Sequence, residues 1–131
     1  MGAGIAQVAS CSGYSVTLVD IDENAVKRGM DSIRSSLRRI VSKGRMEVKE
    51  SEAALDAITQ STSRSDFSDC DLIVEAIPEI LQLKLDVFSE LDTICRDDAI
   101  LATNTSSISI EAIAKVTNRP KQVIGMHFMN P

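Results

Sequence analysis

Short apolar segments alternate with longer amphipathic ones along the chain, and this alternation most constrains the fold. The short segments are rich in β-branched and aliphatic residues, which predicts strands at residues 16–19, 71–76, 99–103 and 123–126. The longer segments predict helices at residues 2–11, 23–43, 47–58, 80–95 and 109–116. Such alternation builds a parallel sheet with helices on both faces. We therefore expect an α/β fold with a doubly wound parallel sheet.

The longest predicted helix has a single apolar face. Its apolar side chains recur three and four residues apart, at Val26, Met30, Ile33, Leu37, Ile40 and Val41. Gly13 and Gly44 follow the first two predicted helices, in the position where glycine commonly ends a helix. Residues 61–69 are polar and are predicted to be the end of a strand and a loop.

Composition excludes several classes of protein. Of 131 residues, 44% are apolar, which is too many for a disordered chain and enough for one domain with a core. A net charge of −5 argues against non-specific binding of nucleic acid. A run of about eighteen apolar residues is absent, so no transmembrane helix is expected. The first residues lack a basic region followed by an apolar stretch, so we expect no signal peptide.

The cysteines predict a reducing compartment. Cys11, Cys70 and Cys95 are odd in number, widely spaced and set in apolar contexts, which is typical of reduced thiols in a core. No pair has the spacing of metal ligands, and we expect no metal site. The compartment would be a cytoplasm of the bacterial type or an organellar matrix.

Functional side chains follow the predicted strands at their carboxyl ends. In parallel sheets of this kind, ligands bind at that edge. The residues found there are Asp20, Ala76, Glu79, Asn104, Ser106 and His127. Their convergence on one edge is the main functional signal of the sequence.

Taken singly, these residues allow two interpretations. Asp20, eighteen residues after Gly2, could bind the ribose of a dinucleotide or could cap the next helix. Gly2 could be the last glycine of a G-x-G-x-x-G loop, with the earlier part of the motif upstream of Met1. His127, the only histidine, could be a structural residue or a general base. Residues 104–107 could equally cap a helix.

A basic segment stands out in this acidic chain. Residues 32–45 contain no acidic side chain but hold Arg34, Arg38, Arg39, Lys43 and Arg45. Like charges four residues apart mildly oppose a helix, and a phosphate-rich ligand would offset that opposition. The alternative is a solvated face whose counter-charges come from elsewhere.

Together these segments resemble the NAD-binding domain of the L-3-hydroxyacyl-CoA dehydrogenase family. The resemblance covers the whole chain in order, and N-T-S-S with G-M-H-F-x-N-P is its most specific part. The matching segments are M-G-A-G-I-A (1–6), V-T-L-V-D (16–20), I-V-E-A-I (73–77) with Glu79, A-T-N-T-S-S (102–107) and G-M-H-F-M-N-P (125–131).

The resemblance implies roles for matching residues. His127 would be the catalytic base, with Ser106 hydrogen-bonded near the substrate oxygen and the nicotinamide. Asp20 would hold the adenosine ribose, and Ser36 and Lys43 would contact coenzyme A. The residues that would line the NAD site are Gly2, Asp20, Ala76, Glu79, Lys84, Ser106 and Asn130. This favours the phosphate-binding interpretation of the basic helix.

The resemblance also implies a reaction and a larger protein. An L-3-hydroxyacyl-CoA would be oxidised to a 3-ketoacyl-CoA, with His127 taking the hydroxyl proton while C3 delivers a hydride to NAD. Residues 1–131 would be part of an NAD-binding domain that lacks its first strand. A helical domain for substrate binding and dimerisation would follow, and residues 1–131 alone would be inactive.

Two other functions remain open at this stage. A non-catalytic module that binds coenzyme A or a nucleotide would keep the fold without turnover. A related NAD enzyme could act on a small hydroxy acid, as a gulonate dehydrogenase does, although a small acid has no need of the basic helix.

Overall fold

The computed structural model describes residues 1–129, and the chain divides into two compact units. Residues 1–63 form unit 1, and the chain from residue 64 onward forms unit 2. Within residues 1–129, no helix is both long and apolar enough to cross a membrane.

Unit 1 contains three helices and two strands. In chain order they are α1 (Gly2–Cys11), β1 (Val16–Val19), α2 (Glu23–Ser42), α3 (Val48–Asp56) and β2 (Ile58–Ser61). β1 and β2 pair in parallel, with Val16 opposite Ile58. The apolar face predicted for α2 supplies half of the core, through Met30, Ile33 and Leu37.

The helix ends in unit 1 follow local sequence. The Asp22 side chain accepts a hydrogen bond from the Ala25 amide at 2.8 Å and caps α2 at its start. Gly13 and Gly44 adopt φ of +92° and +69°, a left-handed conformation that a side chain disfavours. Both predicted helix ends are confirmed.

The prediction was wrong at Ile58, which was placed in a helix. α3 ends at Asp56, and residues 58–61 form β2 instead. Only Ile58 among these four residues is apolar and buried, so the segment has no strand pattern of its own. Pairing with β1 supplies the backbone hydrogen bonds that make it a strand.

Within residues 64–129, unit 2 contains a three-stranded sheet and two α-helices. In chain order they are β3 (Leu72–Glu75), α4 (Leu81–Ile94), β4 (Ile100–Thr103), α5 (Ile110–Ala114) and β5 (Val123–Gly125). The strand order is β3-β4-β5, and both pairings are parallel. All strand pairs in the two units are thus parallel, which confirms the predicted α/β class.

A buried arginine closes the end of α4. The Arg119 guanidinium donates to the carbonyls of Asp92 at 3.0 Å and Cys95 at 3.2 Å, which the helix leaves without partners. Its Nε also lies 2.7 Å from the Asp92 carboxylate, and both side chains are 6% exposed. This contact holds the segment before β5 against α4.

The cysteines differ in exposure. Cys95 is buried in the core of unit 2 and Cys70 is half-buried, as expected of core thiols. Cys11 is exposed, so the prediction of a core thiol was wrong there. As the last residue of α1, it lies where the helix leaves its packed face.

Candidate active site

A buried ion pair lies where β3 meets α4 in unit 2. The ammonium of Lys84 donates to Glu75 Oε1 at 2.7 Å, and the two side chains are 2% and 1% exposed. The second carboxylate oxygen of Glu75 accepts from the Thr103 hydroxyl at 2.7 Å. The Ile77 amide also donates to Glu75 Oε1, at 2.7 Å. Every polar group of the pair is therefore satisfied, which a buried charge requires.

Glu75 was missed by the sequence analysis, which treated residues 71–76 simply as a strand. The available signal was an acidic side chain among apolar ones on the inward face of that strand. An acid there is costly unless a buried cation meets it. Lys84, nine positions further on in the next helix, is that cation.

Glu79 accepts three hydrogen bonds from the loop that follows β4. Thr105 Oγ1 donates to Glu79 Oε1 at 2.6 Å, while the Ser106 amide and hydroxyl donate to Oε2 at 3.0 and 3.2 Å. These bonds, led by that of Thr105 and assisted by the charge of Lys84, lower the pKa of Glu79 to about 2. The carboxylate stays ionised at physiological pH, and the Ser106 oxygen keeps its lone pairs for a ligand that donates.

The low pKa of Glu79 predicts a pH-dependent contribution to stability. A carboxylate with a lowered folded-state pKa stabilises the protein above its unfolded pKa of about 4.5, and this contribution disappears as pH falls toward about 2. Between those two pH values, the melting temperature of the wild-type protein should therefore fall further than that of Glu79→Gln, which keeps the side-chain shape. Thermal unfolding at a series of pH values measures this, and parallel curves for the two proteins would contradict it.

His127 follows β5 and its side chain is exposed. The residues on either side are held by the end of β4: the Met126 amide donates to the Thr103 carbonyl at 2.8 Å, and the Phe128 amide to Asn104 Oδ1 at 2.6 Å. Among residues 1–129, no side chain hydrogen-bonds the imidazole. The hydrogen bonds of the neighbouring backbone amides thus hold His127 in place, and both of its ring nitrogens are accessible to a ligand.

Unit 2 therefore brings most of its predicted site residues to one edge of its sheet. Glu79, Lys84 and Ser106 are joined by hydrogen bonds or ion-pair contact, since the Lys84 ammonium lies 3.4 Å from Glu79 Oε1. Ala76 is half-buried directly after β3, and His127 follows the strand adjacent to β4. Asn130 lies outside the described residues.

Two interpretations involving helix caps are decided by the structure. Asp22 caps α2, whereas Asp20 is exposed at the end of β1 and, among residues 1–129, accepts from the neighbouring Ile21 amide alone, at 2.8 Å. Ser109 caps α5 by accepting from the Ala112 amide at 3.2 Å, so none of residues 104–107 has that role. Asp20 and Ser106 are therefore available for other contacts.

The residues of unit 1 fit a dinucleotide chemically. Within the described part of the chain, no side chain caps α1, whose first residue is Gly2. Its first-turn amides would suit a pyrophosphate, and the exposed carboxylate of Asp20 would suit ribose hydroxyls. The residues present thus match the donors and acceptors that NAD offers.

The basic helix carries both residues assigned to coenzyme A. Ser36 is half-buried on α2, and its Oγ accepts from Gln7 Nε2 at 3.0 Å. Lys43 is exposed at the end of α2. Arg34 contacts Asp31 at 3.3 Å, but among residues 1–129 no acidic side chain pairs with Arg38, Arg39 or Lys43. Among residues 1–129, the structure therefore does not supply the counter-charges that the alternative, a solvated face, requires for Arg38, Arg39 and Lys43.

Parallel strands that alternate with helices and carry acidic and hydroxyl side chains at their carboxyl ends are typical of a dinucleotide-binding domain of the Rossmann type. The model of the family described as 3-hydroxyacyl-CoA dehydrogenase, NAD binding domain, matches residues 1–131. The chain belongs to this family, whose cofactor is NAD.

Named relatives agree with this assignment. A probable 3-hydroxybutyryl-CoA dehydrogenase of Deinococcus radiodurans is 47% identical over all of this chain, which covers 47% of that protein. A probable 3-hydroxybutyryl-CoA dehydrogenase of Bacillus subtilis is 41% identical, with 46% of its length covered. The crystal structure of the (S)-3-hydroxybutyryl-CoA dehydrogenase of Ralstonia eutropha superimposes with a TM-score of 0.98 at 41% identity, over 100% of this chain and 46% of that one. The chain thus spans about half the length of these relatives.

Proposed function

We propose that the full-length protein containing residues 1–131 oxidises an L-3-hydroxyacyl-CoA to the 3-ketoacyl-CoA with NAD. The observation that carries this proposal is the arrangement at the carboxyl ends of β3, β4 and β5, where an ionised Glu79 holds Ser106 and the backbone presents an open His127. Residues 1–131 are the NAD-binding part of this protein.

His127 acts as the general base. Its imidazole takes the proton of the substrate hydroxyl as the C3–H bond breaks, so that a ketone forms at C3. The Ser106 hydroxyl donates a hydrogen bond to Glu79. Its oxygen would accept a hydrogen bond from the substrate hydroxyl or from the nicotinamide carboxamide. A bound NAD would supply the acceptor for the hydride.

Several of the residues named above would hold the cofactor. Gly2 at the start of α1 would face the pyrophosphate, and Asp20 the adenosine ribose, where its charge disfavours the extra phosphate of NADP. Ala76, Glu79, Ser106 and Asn130 would line the nicotinamide side. Lys84, only 2% exposed, would act mainly by holding Glu79 in place.

The experiment is an assay of the purified full-length protein with acetoacetyl-CoA and NADH. Consumption of NADH with the CoA substrate supports the proposal. Production of NADH from NAD and a small hydroxy acid such as gulonate, with no turnover of the CoA substrate, would favour the related dehydrogenase instead. Binding of NAD or coenzyme A without any turnover would favour a non-catalytic module.

The CoA moiety is proposed to bind along α2 through Ser36 and Lys43. Reversing the charges of Arg39 and Lys43 to Glu should raise the KM for acetoacetyl-CoA about 5- to 30-fold, since charge contacts worth about 1 to 2 kcal/mol in total are lost. The KM for a truncated thioester without the nucleotide should change little. Lys27→Glu on the same helix, outside the basic segment, is the control. Equal effects on both substrates would indicate that the basic face of α2 is a solvated surface that does not bind coenzyme A.

Two further features of the full-length protein belong to the proposal. A helical domain following residue 131 would complete the acyl-CoA pocket and form a homodimer, which is consistent with relatives about twice as long. The compartment would be one that holds NAD and acyl-CoA, a bacterial cytoplasm or an organellar matrix. Neither nucleic acid nor a membrane is a proposed partner.

A further inference from the structure

We propose that Asn104 is a positioning residue, which places His127 for proton transfer by holding the backbone amide of Phe128. The proposal rests on the proposed function, in which His127 is the base. Asn104 touches neither the substrate nor the cofactor in this scheme. Its effect on catalysis passes through the peptide group that joins His127 to Phe128.

Asn104 is itself firmly placed. It directly follows β4, and its backbone amide donates to the Glu75 carbonyl at 2.9 Å, which extends the pairing of β3 with β4 by one bond. The residue before it, Thr103, is fully buried and donates to the Glu75 carboxylate. The Asn104 side chain therefore projects from a rigid point of the sheet.

The side-chain oxygen of Asn104 reaches across to the chain beyond β5. It accepts from the Phe128 amide at 2.6 Å. On the other side of His127, the Met126 amide donates to the Thr103 carbonyl at 2.8 Å. His127 thus lies between two backbone amides. One is hydrogen-bonded to Thr103 and the other to Asn104, which are consecutive residues at the end of β4.

The two ties differ in kind. The Met126 bond continues the backbone pairing of β4 with β5, and any sequence in this register would form it. The Phe128 bond depends on one side chain, because β5 ends at Gly125 and the chain has already left the sheet. Without the Asn104 oxygen, the segment after His127 loses its described hydrogen bond.

Helix capping does not explain Asn104. Ser109 caps α5, and Thr105 rather than Asn104 accepts from the amides of the following loop. Within residues 1–129, the bond to Phe128 is the hydrogen bond that the Asn104 side chain forms. The oxygen is therefore the functional atom, and aspartate would keep it.

The test compares Asn104→Leu, which has a similar volume but no acceptor, with Asn104→Asp, which retains the oxygen. We expect the Leu variant to lower kcat about 10- to 100-fold, since misplacing a reacting group by about 1 Å can cost 10²-fold. The KM for NAD should stay within about twofold, and the primary isotope effect with substrate deuterated at C3 should rise because the chemical step becomes slower. Asn104→Asp should restore most of kcat. Asn118→Leu, in the segment between α5 and β5, is the control for asparagine substitution.

A second measurement does not depend on turnover. Hydrogen exchange at the Phe128 amide should be slow in wild type and in Asn104→Asp, and fast in Asn104→Leu. If Asn104→Leu does not fold, Asn104→Ala replaces it in both experiments.

The outcomes separate this proposal from the proposed function. Wild-type kcat in Asn104→Leu, with the Phe128 amide deprotected, overturns the positioning role and leaves the function standing. Equal losses of kcat in the Leu and Asp variants also overturn it, because the oxygen would then not matter. Full turnover in His127→Gln would instead overturn the proposed function, and the positioning role with it.

Discussion

Replacing His127 with glutamine in the full-length protein is expected to lower kcat for 3-hydroxyacyl-CoA oxidation by about 10²- to 10⁴-fold, the usual contribution of a general base. Glutamine can still hydrogen-bond the substrate hydroxyl, but it cannot take a proton at neutral pH. Because the imidazole is exposed and has no hydrogen bond to another side chain among residues 1–129, its loss should leave the fold unchanged.

Steady-state kinetics and NADH binding measure this effect separately. The dissociation constant for NADH should stay close to the wild-type value, since the role proposed for His127 is toward the substrate hydroxyl. Met126→Leu, a change at the preceding position that retains the backbone bond to Thr103, is the matched control and should keep kcat. Unchanged turnover in His127→Gln would remove His127 from the mechanism.

Replacing Lys84 with methionine is expected to destabilise the protein by about 3–5 kcal/mol, the range found when one partner of a buried ion pair is removed. The Glu75 side chain is 1% exposed, so its carboxylate would remain in the core without the cation that compensates it. Methionine has a similar length and fills the same space, so the loss would be electrostatic rather than a cavity. Urea denaturation monitored by circular dichroism measures the free energy of unfolding.

Two comparisons identify the cause. The double variant Glu75→Gln with Lys84→Met removes both charges and should recover most of the stability, because no buried charge is left alone. Lys115→Met breaks an exposed pair with Glu111, whose side chains are 71% and 77% exposed, and should cost less than about 1 kcal/mol. A double variant as unstable as Lys84→Met would show that the pair is needed for its geometry and not for charge balance.

Local sequence was sufficient where one residue or one short pattern decides the structure. Gly13 and Gly44 end their helices because glycine adopts a left-handed backbone readily. The apolar stripe of α2 predicts its buried face, since the period of a helix is independent of what packs against it. Motifs at the ends of strands predict Ser106 and His127 as site residues, because the carboxyl ends of parallel strands share one edge of the sheet.

Long-range contacts decided the features that local patterns do not contain. β2 is a strand because β1 lies beside it, although its own residues are mostly polar. The charges of Glu75 and Lys84 are tolerated in the core only because the fold brings them within 2.7 Å.

The sequence by itself therefore determined the α/β class, most helices and strands, the family and the candidate site residues of this protein. These follow from periodicity, glycine conformations and short motifs, which act over a few neighbouring residues. Only the tertiary structure decided that Glu75, Lys84 and Glu79 form one charged network and that Asn104 holds the chain beside His127. Hydrogen bonds between residues nine to twenty-eight positions apart depend on the register of the strands, and no local pattern specifies that register.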